Sequence, residues 1–493
     1  MVARAQQTFY LIALGGTAMA PLAGLLIAKG ERVEGSDLTL YPPMSDRIRA
    51  LGIDVRPGFH AENLPQRVDR VVVGNLAGRD NPELVEALRR DLPLASMPET
   101  LHDEFLAGRH PVVITGTHGK TTTSALTAWL LASAGRDPGF LIGGEPLNFP
   151  APCALGTGAA FVVEGDEYST SYADLGPKFL HYAPRTLVIT SIEFDHADLY
   201  ADLDAIKAVF ARAVALVPDD GCIVANGEDP HVRAVLTSAR ARVVLYRVED
   251  GAAPDDTQVE DTNAWAGLSA TNIVRDGDGT RFDLRQGGSL LTPVSTRLAG
   301  RHNIANALAA AGVGLAFGLT PPELAAGLAT FRGVRRRLEE RGVAGGVTVL
   351  DDFAHHPTAV ATTVEGARRL YPGRRLWAVF EPRSITGGRA EFLDAYLKGL
   401  SRAHGAVLCT AYHASRLERP GGAGALDVER LARELNDSGV EAFAAAGADL
   451  IVSRLVPRLR SGDVVLTMSS GSFGGLPGKL LAALSATESG PSA

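Results

Sequence analysis

The chain has 493 residues, 46% of them hydrophobic and 21% charged, with a formal net charge of −8; this length divides naturally into three domains with sizeable cores. The acidic balance excludes a nonspecific nucleic-acid binder, which needs a basic surface to displace counterions from phosphates. No apolar run approaches the roughly 20 residues of a spanning helix, and the first residues lack a basic segment followed by an apolar core.

The expectation is a cytoplasmic protein with no membrane insertion and no nucleic-acid partner. Cys153, Cys222 and Cys409 lie far apart, without metal-ligand spacing, and read as reduced, apolar residues. Along the chain, β-rich runs alternate with amphipathic stretches, which predicts an α/β fold with largely parallel sheets.

The first block, 1–109, opens with a strand at 9–14, then Gly15-Gly16-Thr17 and a helical stretch to Lys29. A second strand at 31–35 leads into Ser36 and Asp37, and a third at 68–73 ends at Gly74-Asn75. Glycines at the first turn with an acid about 20 residues later are the layout of a Rossmann-like nucleotide-binding unit.

The second block, 110–332, begins with a strand at 111–115 and then Gly116-Thr117-His118-Gly119-Lys120-Thr121-Thr122-Thr123. Two glycines let backbone amides converge on phosphate oxygens, and the following helix adds its positive end. Lys120 is placed to neutralise the β- and γ-phosphates of ATP, and Thr121 to offer its hydroxyl to Mg2+. Only two residues separate Gly116 from Gly119, against four in the common P-loop pattern.

Strands at 160–163 and 186–189 follow, each ending in polar residues. Glu164, Asp166 and Glu167 crowd carboxylates that a hard cation would relieve; a solvated acidic loop is the alternative. In the run from Ser191 to Asp198, His196 is a second candidate metal ligand, or a surface histidine. A polar stretch from Gly227 to Gly288 reads as a peripheral β insert. The helix 303–317 carries Asn303 and Asn306 three apart on one face, where two amides suit a purine edge; a cap by Asn303 is the other reading.

The third block, 333–493, has apolar strands at 347–350, 376–380, 406–408 and 464–468, predicting a doubly wound sheet. Arg335-Arg336-Arg337 precedes the first of these strands and reads as a solvated basic turn or, near the junction of the second and third blocks, as a phosphate clamp from a moving domain, with Arg337 the candidate. Asp352 is a candidate for a ribose hydroxyl. His355-His356, in tandem without a third ligand, make a poor zinc site. Glu167, His196, Asp352, Arg383 and Ser470 all follow apolar strands, the sheet edge where open α/β folds bind ligands.

Together the G-T-H-G-K-T-T-T loop, the E-x-D-E run, Asp195-His196, His302-Asn303-Ile304-Ala305-Asn306 and Asp351-Asp352-Phe353-Ala354-His355-His356-Pro357 resemble the Mur ligase family over residues 9–484. The resemblance implies an N-terminal domain for the UDP-sugar, a central ATPase domain and a mobile C-terminal domain for the amine acceptor. Gly15, Gly16, Thr17, Ser36, Asp37 and Asn75 then face the UDP-sugar, and Arg383, Ser384 and Ser470 the acceptor. Catalysis falls to Lys120, Glu167, His196 and Arg337. The ATP set is residues 116–122 with Asn303, Asn306, Arg337 and Asp352, and the metal set Thr121, Glu167 and His196.

Two branches of that family act on UDP-N-acetylmuramate, one adding L-alanine and the other the tripeptide L-alanyl-γ-D-glutamyl-meso-diaminopimelate. Tyr41-Pro42-Pro43-Met44-Ser45, Gly74-Asn75, Glu381-Pro382-Arg383-Ser384 and the run from Met468 to Gly475 resemble the second, recycling branch. The alanine-adding branch and a non-catalytic nucleotide sensor are the alternatives. Two departures stand out: Ala13 where relatives have the first glycine of the UDP loop, and Ser169-Thr170-Ser171 in place of a more acidic run.

Overall fold

The computed structural model describes residues 5–40, 44–249, 264–277, 279–418 and 424–488, so Tyr41, Pro42 and Pro43 lie outside the described residues. Three sheets divide the chain. The first contains β1 (Thr8–Ile12), β2 (Arg32–Asp37), β3 (Val55–Pro57), β4 (Arg70–Val73) and β5 (Leu94–Ser96), all parallel, in the order β3-β2-β1-β4-β5. β3 and β5 were not expected, because three residues carry too little periodicity to register.

Strand order reverses at β1, so the turn after it sits at the switch point where a ligand fits between neighbouring connections. Ala13 in that turn has φ +62°, a conformation costing alanine roughly 1–2 kcal/mol. Ala13→Gly is therefore expected to stabilise the protein by about 0.5 kcal/mol after the entropic cost of glycine. Chemical denaturation should show a higher midpoint; a lower one would mean that the buried methyl outweighs the strain.

The central sheet contains β6 (His110–Thr115), β7 (Gly139–Leu141), β8 (Cys153–Ala154), β9 (Ala160–Glu164), β10 (Thr186–Ile189), β11 (Cys222–Asn226), β12 (Arg242–Val248), β13 (Ala264–Asp276), β14 (Gly279–Gln286) and β15 (Ser289–Thr296). Their order is β15-β14-β13-β12-β11-β10-β6-β9-β7-β8. The described part of the 227–288 stretch is thus the growing edge of the main sheet: β12 pairs with β11 from Cys222↔Arg242 to Asn226↔Tyr246, and β13–β15 continue it.

Helix Lys120–Ser133 and helix Arg301–Ala316 pack on one face, with Leu126, Leu130, Ala307 and Ala311 at 0% exposure. On the other face, Val113, Phe161 and Leu187 share one core with Leu11, Leu22 and Leu26 of the N-terminal unit.

The C-terminal sheet holds β16 (Glu339–Ala344), β17 (Val347–Asp352), β18 (Leu376–Phe380), β19 (Gly405–Cys409), β20 (Glu441–Ala445) and β21 (Val464–Met468), in the order β16-β17-β21-β18-β19-β20. Only β16 runs antiparallel. Side chains alternate along each strand: Leu350, Phe380 and Leu466 enter one core, Val349, Val379 and Val465 the other. Both faces are covered by helices, as a doubly wound sheet requires. No helix among the described residues is long and apolar enough to cross a membrane.

Candidate active site

The run Gly116–Thr123 forms the turn between β6 and helix Lys120–Ser133. Gly116 has φ +125° and Gly119, the residue before the helix, has φ +82°. A Cβ on Gly116 would press on the Thr190 hydroxyl and lie 2.8 Å from the Ser191 nitrogen. The end of β10 shapes this loop: Thr117 N donates to the Ser191 carbonyl at 2.9 Å, and His118 N to Ser191 Oγ at 3.0 Å. Backbone and helix end therefore converge on one concave edge, an arrangement suited to phosphate. Thr122 is buried in the first helical turn.

Lys120 Nζ lies 2.7 Å from Glu167 Oε2 and donates to the Gly116 carbonyl at 2.6 Å. Burial is the largest influence on Lys120 and lowers its pKa, but Glu167, Asp166 and Glu164 outweigh it, so the ammonium persists. Burial raises Glu167 above the usual carboxylate range against the pull of Lys120 and His196. Glu167 Oε1 is buried without a hydrogen-bond partner.

Asp166, Glu167 and His196 bring ligand atoms within 4.8 Å of one another. An orphaned carboxylate oxygen beside a second carboxylate and an imidazole fits a hard divalent ion such as Mg2+. Asp166 belongs to the carboxylate run expected to meet a cation. The Thr121 hydroxyl donates to Glu164 Oε1 at 2.9 Å and accepts from Arg337 Nη2 at 3.1 Å.

The asparagines share a face, and each amide nitrogen donates one of its two hydrogens. Asn303 Nδ2 donates to the Ala299 carbonyl at 2.8 Å, and Asn306 Nδ2 to Asn303 Oδ1 at 3.2 Å. Asn306 Oδ1 accepts from Thr123 at 3.2 Å and backs Gly119. These bonds brace the phosphate loop, and Gly300, not Asn303, precedes the helix.

The two oxygens of Asp352 accept from Leu338 N at 2.7 Å and Ala354 N at 2.8 Å, so this 5%-exposed carboxylate fixes the turn carrying Arg337. A cleft of about 690 Å³ lies beside that turn, between helix Arg301–Ala316 and helix Pro357–Leu370, lined by His302, Thr358, Gly366, Arg369 and Lys398. These residues were not in the expected site; their only signal was proximity to the Asn303 and His356 motifs.

Burial, the largest influence, pushes the pKa of His302 down to about 4, against roughly 6.5 unfolded. Between those values the unfolded chain binds the extra proton, so this residue costs stability as pH falls from 6.5 to 4, at up to about 1.4 kcal/mol per unit. His302→Asn should flatten the pH dependence of the unfolding free energy in that window; an unchanged slope would reject the assignment.

The C-terminal unit rests on the carboxyl edge of the central sheet. Arg337 reaches Thr121 and stacks over Phe353 at 5.1 Å, while Ala197 N donates to Thr386 Oγ1 at 3.0 Å. At the ends of β18 and β21, Arg383 lies over the Tyr412 ring at 4.1 Å and 3.6 Å from Glu381. Ser384 Oγ accepts from Gly387 N at 2.8 Å and so holds its own turn, while Ser470 is half-buried at the rim.

In the N-terminal unit, Gly15 N donates to Asp37 Oδ2 at 2.7 Å, Gly16 is half-buried, and Thr17 and Asn75 are exposed at the sheet edge. Ser36 is fully buried and donates to Glu83. The Ser169–Ser171 segment closes on itself: Thr170 Oγ1 donates to the Gly176 carbonyl, and Ser171 Oγ accepts from Ala173 N and Asp174 N.

Residues 8–108 match the Mur ligase family catalytic domain, 114–314 the Mur ligase middle domain and 336–471 the Mur ligase glutamate ligase domain. The chain is 35% identical to the UDP-N-acetylmuramate–L-alanyl-γ-D-glutamyl-meso-2,6-diaminoheptandioate ligase of Escherichia coli (strain K12), over 96% of this chain and 97% of that one. The chain belongs to the Mur ligase family.

As a Mur ligase it is an ATP-dependent enzyme that forms amide bonds. It is also 35% identical to a UDP-N-acetylmuramate–L-alanine ligase of Oleidesulfovibrio alaskensis, over 94% of this chain and 96% of that one. Among solved structures, a murein peptide ligase from Psychrobacter arcticus superposes with a TM-score of 0.70 at 31% identity, covering 97% of this chain and 99% of that one. The UDP-N-acetylmuramate–alanine ligase of Thermotoga maritima, at 21% identity and a TM-score of 0.77 over 98% of this chain and 100% of that one, shares the fold.

Proposed function

We propose that this Mur ligase joins UDP-N-acetylmuramate to L-alanyl-γ-D-glutamyl-meso-diaminopimelate in peptidoglycan recycling in the cytoplasm. The observation that carries the reading is the guanidinium of Arg383, steadied over Tyr412 beyond the end of β18, in the turn whose Thr386 meets Ala197 of the central unit. A tripeptide acceptor brings several carboxylates for such a group to hold, whereas L-alanine brings one. Among the solved structures, 31% identity to the murein peptide ligase of P. arcticus, against 21% to the alanine ligase of T. maritima, supports the same choice. In this reading, residues 1–109 hold the UDP-sugar, 110–332 the nucleotide and 333–493 the acceptor.

The chemical difficulty is that a carboxylate must approach an anionic γ-phosphate. Lys120 and the helix end behind it offset that repulsion and stabilise charge on the transferring phosphoryl group. Mg2+, held by Asp166, Glu167 and His196, would supply further charge neutralisation there. Arg337 reaches the same edge from the C-terminal unit and orients the phosphates. Attack of the muramyl carboxylate on phosphorus gives an acyl phosphate and ADP. The peptide amine then attacks the acyl carbon, expelling phosphate, while the apposed C-terminal unit excludes water.

The test is phosphate release from ATP with Mg2+ and UDP-N-acetylmuramate, comparing tripeptide with L-alanine. Release and a UDP-muramyl-tripeptide product with the tripeptide are expected. Preference for L-alanine would move the enzyme to the branch of the O. alaskensis relative, equal in identity. Nucleotide binding without acceptor-dependent release would favour a sensor.

A further inference from the structure

A second group of side chains gathers where the phosphate loop meets the C-terminal unit. His118 of the loop, Glu193 beyond β10 and His356 beyond β17 bring one ligand atom each within 4.8 Å of one another. His118 Nε2 and Glu193 Oε2 are 3.1 Å apart, and His356 Nδ1 lies 3.5 Å from the same oxygen. Ligands bound tetrahedrally at the zinc–nitrogen distance of about 2.0–2.1 Å sit roughly 3.3 Å from each other. The two spacings to Glu193 Oε2 match such a coordination shell, and the two imidazole nitrogens lie within 4.8 Å of each other.

His356 makes the stronger argument. It is 5% exposed, and its Nδ1 is buried without a hydrogen-bond partner. Its Nε2 lies 3.3 Å from the Phe194 carbonyl oxygen, a contact that needs the proton on Nε2 and leaves a lone pair on Nδ1. That lone pair faces a carboxylate oxygen, and two acceptors opposed in a buried site repel unless a cation joins them. A ring N–H given to a backbone carbonyl is the usual support of a metal-bound histidine. Thr358 donates to Glu193 Oε2 at 2.7 Å and fixes the carboxylate.

We propose that His118, Glu193 and His356 form a binding site for a nitrogen-preferring divalent cation of the zinc class, distinct from the Asp166–Glu167–His196 cluster. Two imidazoles and one carboxylate suit Zn2+ and disfavour Mg2+, which takes oxygen ligands. Of the tandem histidines only His356 takes part, and the central unit supplies the other two ligands, His118 and Glu193. Because the ligands come from both units, an ion here ties the phosphate loop to the C-terminal unit and resists their separation.

The test is equilibrium dialysis of the full-length enzyme against Zn2+ in excess Mg2+, with Co2+ as a spectroscopic substitute. Wild-type protein should bind zinc and give the intense visible bands of four-coordinate cobalt. His356→Asn should weaken binding at this site at least about tenfold, while His196→Asn keeps it. No zinc binding by the wild type would overturn the proposal, as would loss in His196→Asn with retention in His356→Asn. If His356→Asn fails to fold, the wild-type cobalt spectrum decides: weak, six-coordinate bands alone overturn the site.

Discussion

Lys120→Ala is expected to lower kcat/KM by at least about 10³-fold, because the ammonium is the protein's own cation at the phosphate loop. Its Nζ touches Glu167 and the Gly116 carbonyl, with Asp166 and Glu164 close enough to sustain its charge. Removing it leaves those carboxylates facing the nucleotide, so repulsion grows where attraction is required. The fold should survive, since Glu167 already titrates above its usual range and takes up a proton instead of remaining as a bare buried charge. Acceptor-dependent phosphate release, with circular dichroism as the fold control, reads both parts. Retention of more than about a tenth of wild-type activity would remove Lys120 from the role that phosphoryl transfer assigns it.

Gly116→Ala should damage both the stability of the central unit and its phosphate loop. At φ +125° an L-residue is strained, and the added Cβ would meet the Thr190 hydroxyl and the backbone nitrogens of Thr190 and Ser191, at 2.9 and 2.8 Å. Backbone atoms of β10 and the turn after it cannot yield as a flexible side chain can, so the expected loss is about 3 kcal/mol or more of stability. Nucleotide affinity should fall with it, because the same backbone forms the phosphate cradle. Gly119→Ala provides the comparison. Its Cβ would press on the Asn306 amide, which can turn, and the expected loss is about 1–2 kcal/mol. Urea unfolding and ADP calorimetry on both variants decide the matter: equal, small effects would mean that the loop adapts.

The phosphate loop was legible in sequence because its requirements are local: a strand, two glycines, a lysine and a helix. The hydrogen-bond partners of Ser36, Asp352 and the two asparagines were not. A polar side chain's partners depend on which donors the fold brings to it, as Leu338 N and Ala354 N are brought to Asp352. The unexpected short strands β3, β5 and β7 offered three residues each, below the length at which alternation can be read.

By itself the sequence determined the α/β class, the family and the phosphate loop, because periodicity and glycine spacing act between residues close along the chain. The tertiary structure decided which side chains work together. Thr121 meets Arg337 across 216 residues, Ser36 meets Glu83 across 47, and His118 meets Glu193 and His356 only after two sheets are apposed. Spacing along the chain carries no information about such pairs; they follow from where strand ends fall when separate cores pack, and burial then makes each partnership obligatory.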